Sequence, residues 1–207
     1  MRVEGRGPRP FRRLTTSNGL PQNSVYAVVQ TRDGYLWMAT LGGLARFDGT
    51  TMKVYSPATS PGLGSSRLTA LFEDSAGALW IGTEDGRLIR YLEDRFETFP
   101  SAHEASTIMA IRQDSTGIIA LAAVGIVRIE GQAVVPLDFT GFETVGVRAF
   151  GYGAGFVARS ADSRKLVTLA DGELRVIDVF GLTGTPAGAF ACQDRDGAVW
   201  FRAQSGT

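Results

Sequence analysis

Asp33-Gly34-Tyr35-Leu36-Trp37-Met38-Ala39-Thr40 returns as Ala76-Gly77-Ala78-Leu79-Trp80-Ile81-Gly82-Thr83, and the same offset carries on from Gly43 to Gly86. A third copy follows at Asp114-Ser115-Thr116-Gly117-Ile118-Ile119-Ala120-Leu121 and a fifth at Asp194-Arg195-Asp196-Gly197-Ala198-Val199-Trp200-Phe201. A degenerate copy, Gly155-Phe156-Val157-Ala158-Arg159, lies between them. The spacing averages about 41 residues, inside the range of propeller repeats.

Working outward from the second copy, four short apolar runs appear: Leu68 to Phe72, Leu79 to Gly82, Leu88 to Tyr91 and Arg95 to Phe99. Turn signals separate them and no window sustains helical spacing, so the runs read as strands. The turn joining the first two carries Asp at its first position and Gly at its fourth, as in Asp74…Gly77, Asp114…Gly117 and Asp194…Gly197. Such an Asp accepts hydrogen bonds from the turn's own amides, and Gly supplies the positive φ from which the next strand starts. Trp37, Trp80 and Trp200 share one strand position, where a flat indole can fill the wedge between neighbouring sheets. Four antiparallel strands per repeat with that aromatic predict an all-β fold, a β-propeller of four-stranded blades. Solenoid repeats are normally shorter.

The stretches Gly19-Leu20-Pro21-Gln22-Asn23-Ser24-Val25-Tyr26-Ala27-Val28, Asp33-Gly34-Tyr35-Leu36-Trp37 and Gly42-Gly43-Leu44-Ala45-Arg46-Phe47-Asp48-Gly49 closely resemble the two-component-regulator propeller repeat. Leu79-Trp80-Ile81-Gly82-Thr83 and Gly86…Arg90-Tyr91 resemble it again. The likeness covers roughly residues 11 to 207 and fades in the third and fourth copies, where Ala120 and Phe156 replace the Trp. The resemblance implies seven-bladed extracytoplasmic propellers, often in tandem, feeding an Ig-like domain, a membrane helix and a cytoplasmic histidine kinase or diguanylate cyclase.

Seven such blades need about 290 residues, and this chain has 207 with five repeat starts. The expected organisation is an incomplete propeller of about four and a half blades, the N-terminal part of a longer protein. It has a disordered basic leader over 1–10, a strand of a closing blade at 11–15, and a partial propeller over 11–207. Blades are expected at about 20–60, 61–101, 102–140, 141–182 and, truncated, 183–207.

Hydrophobic residues make up 44% and charged residues 20%, the mix of a folding globular chain. Lys plus Arg balance Asp plus Glu at 21 each, which argues against nucleic acid as a partner. Cys192 is the single cysteine, excluding an internal disulfide and a multi-cysteine metal site. The longest apolar run, Ile118 to Val124, is far short of the roughly 20 residues of a spanning helix. Arg2, Arg6, Arg9, Arg12 and Arg13 precede no apolar segment of the kind a signal peptide needs.

Chemistry-bearing motifs are few. His103, the only histidine, sits in a loop with no Ser-His-Asp frame around it. Asp194-Arg195-Asp196-Gly197 begins like a calcium loop, but Ser205 falls where the closing Glu belongs, which favours a hairpin turn. Gly151-Tyr152-Gly153-Ala154-Gly155 lacks the spacing of a phosphate loop. No catalytic residue, metal site or cofactor is expected. The first strand of each blade lines a propeller's channel, so the loops entering those strands are the expected ligand site. They offer Gln22, Asn23 and Tyr26 in the first blade and Arg67 in the second, with Glu84 and Asp85 at the rim. These groups suit a small polar or carbohydrate-like ligand, while Asn23 and Ser24 serve equally as caps of the turn before their strand.

The resemblance implies a non-catalytic ligand-sensing or interaction input domain of a membrane-bound two-component or cyclic-di-nucleotide receptor. Its partners would be the remaining blades, downstream signalling domains and a second copy in a homodimer, and its location periplasmic or otherwise extracytoplasmic. A generic interaction scaffold and a propeller lyase or hydrolase are the alternatives, since the fold hosts all three.

Overall fold

The hairpin turns account for how the strands begin. In the second repeat Asp74 Oδ1 accepts from the amides of Ala76 and Ala78, both at 2.9 Å. Its Oδ2 accepts from the Trp80 indole at 2.8 Å. In the first repeat Thr31 takes that place, its Oγ1 accepting from the Trp37 indole at 3.1 Å. Asp114 Oδ1 accepts from the Thr116 amide at 2.8 Å in the third. Gly77 closes the second turn at φ +85°, a conformation that costs an L side chain about 1–2 kcal/mol.

The computed structural model describes residues 13–101, 106–123 and 125–137 in full, and beyond them the backbone of the strands alone. The first sheet runs β1 (Val25–Gln30), β2 (Leu36–Thr40), β3 (Gly43–Phe47), β4 (Met52–Tyr55). The second runs β5 (Leu68–Glu73), β6 (Leu79–Thr83), β7 (Leu88–Leu92), β8 (Arg95–Phe99). The third runs β9 (Ile108–Asp114), β10 (Gly117–Ala122), β11 (Gly125–Glu130), β12 (Ala133–Leu137). Each strand in these three sheets is antiparallel to the next. A fourth sheet follows the order β13 (Phe142–Glu143), β15 (Phe156–Ser160), β16 (Lys165–Ala170), β17 (Glu173–Asp178). In the fifth, β18 (Thr185–Gln193) pairs antiparallel with β19 (Val199–Gln204) and parallel with β14 (Phe150–Gly151). The long crossover between β14 and β18, which contains β15 to β17, is what a parallel pair requires.

Two seams hold the first three sheets face to face. Trp37, Ala39, Leu44 and Tyr55 of the first sheet are buried against Leu68, Leu79, Ile81, Ile89 and Tyr91 of the second. Trp37 stacks on Tyr55 at 5.7 Å and meets Tyr91 edge-on at 5.0 Å. Trp80, Leu88 and Phe99 of the second sheet pack in turn on Ile108, Ile111, Ile118 and Val127 of the third, with Trp80 5.4 Å from Phe99. Gly82 lets the two sheets approach, since a Cβ there would lie 2.7 Å from Ile108 Cβ. The hairpin turns are also latched. The Arg32 amide donates to both carboxylate oxygens of Glu73 at 3.1 Å and its guanidinium to the carbonyls of Asp74 and Ser75. One blade further on, the Ser75 amide donates to Gln113 Oε1 at 2.7 Å.

Sheets stacked this way with their first strands side by side are propeller blades, and the fold is an all-β, incomplete propeller. Arg13, Leu14 and Thr15, the described part of the expected closing strand, belong to no strand. The leader at 1–10, Phe11, Arg12, His103, the turn at 194–197 and the side chains of Phe156, Cys192 and Trp200 lie outside the described residues.

Candidate functional site

The first strands β1, β5 and β9 share an irregularity that the repeat alignment does not show. Val25 pairs with Thr40 and Ala27 with Ala39, so Tyr26 is an extra residue opposite no partner of its own. Thr69 is the extra residue between the pairs Leu68–Thr83 and Ala70–Gly82. Met109 is the extra residue between Ile108–Ala122 and Ala110–Leu121. A bulge bends its strand and re-aims a side chain, and here it recurs at one position in three consecutive blades. Tyr26, Thr69 and Met109 line a concavity of about 690 Å³ together with Val28, Leu71 and Glu84. That volume lies within the roughly 300–1,000 Å³ usual for small-molecule sites.

The polar residues expected at this mouth are largely engaged in the fold itself. Gln22 Oε1 accepts from the Leu41 amide at 3.1 Å, tying the entry of β1 to the β2–β3 turn. Asn23 Oδ1 accepts from the Thr16 amide at 2.8 Å, which ties the entry of β1 back to the short 3-10 helix Thr16–Asn18 rather than capping the turn before the strand. Arg67 grips Glu84 with two hydrogen bonds, Nη2 to Oε1 at 3.0 Å and Nε to Oε2. That hydrogen-bonded pairing holds the Glu84 carboxyl below the usual carboxylate range and raises the Arg67 guanidinium. The pair is therefore fully ionised at neutral pH. Asp85 turns to other partners, accepting from Thr83 Oγ1 at 2.6 Å and pairing with Arg87 at 3.2 Å. The two neighbouring carboxylates thus share no target. Gln22, Asn23, Arg67 and Asp85 stand outside the lining of the concavity, whereas Tyr26 and Glu84 belong to it.

Thr69 and Met109 escaped the sequence reading. Their signal was available, because both fall in the alignment column of Tyr26, but nothing in composition marks that column as bulged. Thr69 Oγ1 donates to the Ile108 carbonyl at 2.7 Å and Thr107 Oγ1 to the Glu84 carbonyl at 3.0 Å, so hydroxyls from neighbouring blades fasten the wall. Among the described residues no group of three or more His, Cys, Asp or Glu could hold a metal ion, and no helix is long and apolar enough to cross a membrane.

Comparison with known proteins bears on the same blades. A histidine kinase of Formosa agariphila, P4, is 44% identical over 45 residues, which is 22% of this chain and 3% of the kinase. The extracellular domain assigned to a hybrid two component system of B. thetaiotaomicron is 16% identical, with a TM-score of 0.49 over 86% of this chain and 31% of that one. A gluconolactonase of Xanthomonas campestris, XC5397, is 14% identical with a TM-score of 0.54, covering 86% of this chain and 69% of its own; this likeness is one of fold alone. The chain therefore spans a small part of the signalling proteins it matches. The family model described as two component regulator propeller matches residues 19–42 and 62–85, the entry, first hairpin and following turn of blades one and two. In those two blades the chain is similar to the two-component-regulator propeller repeat.

Proposed function

We propose that the chain is a non-catalytic recognition segment of a membrane-anchored bacterial two-component receptor, lying outside the cytoplasm and taking a ligand at the concavity on β1, β5 and β9. The observation that carries this reading is a coincidence of place: the regulator repeats of blades one and two supply the strands β1 and β5 that form two of the concavity's three walls. Strands from three blades converge there, so one ligand would touch all three. Ligand would act by favouring one arrangement of paired ectodomains over another, and the shift would pass to a downstream histidine kinase or cyclase domain.

Thermal-shift measurements on the chain against oligosaccharides, organic acids, aromatic compounds and short peptides test this. A ligand at 100 times its dissociation constant adds about 2.7 kcal/mol to stability. The expected result is a concentration-dependent rise with at least one class that Tyr26→Ala abolishes. Absence of any such rise, or a rise indifferent to Tyr26→Ala, would overturn the reading.

A further inference from the structure

The concavity's chemistry narrows the class of ligand it can take. Glu84, in its lining, is already joined by two hydrogen bonds to Arg67 just outside it. An anion would have to break that pair to gain Arg67, and the lining's own cation, Arg112, already donates to the Ile111 carbonyl at 2.9 Å. Asn23 and Gln22 stand outside the lining, and the hydroxyls of Thr69 and Thr107 within it donate to backbone carbonyls. A polyhydroxylated chain needs several uncommitted donors and acceptors, because each buried hydroxyl left without a partner costs about 1–3 kcal/mol.

What the three bulges themselves offer is mainly apolar. Tyr26 is 54% exposed despite being a large aromatic, and it stands at a bulge, as do Thr69 and Met109. Val25 and Val28, also exposed, line the same wall, and apolar side chains grouped in this way mark a binding region. A phenol ring and a thioether, with the methyl of a hydroxyl-anchored threonine between them, suit a flat ring: aromatic pairs and sulfur–aromatic contacts both reward it. The bulge position is also where the blades differ most usefully, as Tyr, Thr and Met, while the next position is Ala in all three, Ala27, Ala70 and Ala110. Constant small neighbours keep the wall's shape, and the variable residues give it its chemistry.

We infer that Tyr26, Thr69 and Met109 form one recognition surface for an uncharged, ring-bearing ligand with a broad apolar face. This rests on the concavity being the sensing site proposed above. Fluorescence titration of the chain with N-phenyl-1-naphthylamine, an uncharged aromatic amine that brightens in apolar surroundings, tests it beside thermal shifts with glucuronate and cellobiose. Saturable binding of the amine, weakened about tenfold or more by Tyr26→Ala and by Met109→Glu, is expected, about 1.4 kcal/mol for each tenfold. Val54→Asp, on the outer strand of blade one, should leave it unchanged, and circular dichroism should show all three variants folded. Amine binding that Val54→Asp weakens as much as Tyr26→Ala does would overturn the inference by moving the site to another face. A thermal shift with glucuronate or cellobiose that Tyr26→Ala removes, without saturable amine binding, would overturn the ligand class while leaving the sensing site in place. Failure of all three probes would overturn it as well, and the broader ligand screen would then decide the fate of the site separately.

Discussion

Asp74 does three jobs with one carboxylate: it caps two amides of its own turn and anchors the indole of Trp80 across the hairpin. Asp74→Ala strips partners from buried donors, and a loss of about 1–3 kcal/mol in urea unfolding is expected. A change below a few tenths would show that the turn holds without it. The Asp…Gly spacing was legible because it follows from turn geometry alone, and so was the placing of Trp37 and Trp80 between sheets. The indole-to-turn bond was not legible, since it depends on rotamers that only the packed seam fixes. Tyr91 and Tyr55 extend the argument within the same seam. Burial, aided by its 2.6 Å hydrogen bond to Asp94, pushes the Tyr91 hydroxyl well above its ordinary range. Tyr91 holds its proton more tightly folded than unfolded, so the stability it contributes is whole below about pH 10 and is lost as pH rises past that value. Tyr91→Phe should flatten this alkaline loss in melts taken from pH 8 to 11. Tyr55 carries a buried hydroxyl with no hydrogen-bond partner among the described residues. Tyr55→Phe should therefore be neutral or stabilising, and a clear loss would reveal a partner for that hydroxyl.

At the scale of the element, the recurrent bulge decides what each first strand presents. A strand with unbroken alternation would place Tyr26, Thr69 and Met109 in ordinary pairs; the extra residue in each strand takes them out of pairing and to the concavity wall instead. Sequence periodicity cannot see this, because aligned repeats that all contain the same insertion still align. The same limit explains the mixed fate of the expected site residues. Tyr26 at a strand entry and Glu84 at the rim were legible as candidates, yet the Arg67–Glu84 grip joins two loops whose closeness only the blade fold creates. Gly82 reports on how closely neighbouring elements sit. Gly82→Ala would put a methyl 2.5 Å from Ile108 Cγ2 inside the seam between blades two and three. Overpacking of this kind costs about 1–3 kcal/mol, to be read from the urea midpoint. An unchanged midpoint would mean that the seam is looser than the structure has it.

For the molecule as a whole, equivalent positions in successive blades differ in one informative respect. Leu68 and Ile108, covered by the blade before them, are 0% and 1% exposed, whereas Val25 at the same repeat position is 38% exposed. Val28 is 57% exposed where its counterpart Ile111 is 1%. Blade one thus leaves apolar side chains bare, Val25 and Val28 beside the concavity and Val54 on its outer strand. Uncovered apolar side chains of this sort drive association. The chain is expected to self-associate as its concentration rises, and Val28→Glu should shift the equilibrium towards monomer in sedimentation velocity. Wild-type chain that stays monomeric throughout would contradict this.

The stacking of blades through an aromatic wedge is best tested where the chain is farthest from helping itself. Trp37 of blade one and Tyr91 of blade two meet only if the two sheets lie face to face, with ring centroids 5.0 Å apart. A double-mutant cycle with Trp37→Leu and Tyr91→Leu, followed by equilibrium unfolding, should give a favourable coupling of about 0.5–1.5 kcal/mol. Strictly additive losses would mean that the two rings do not touch and that the blades are not stacked as described.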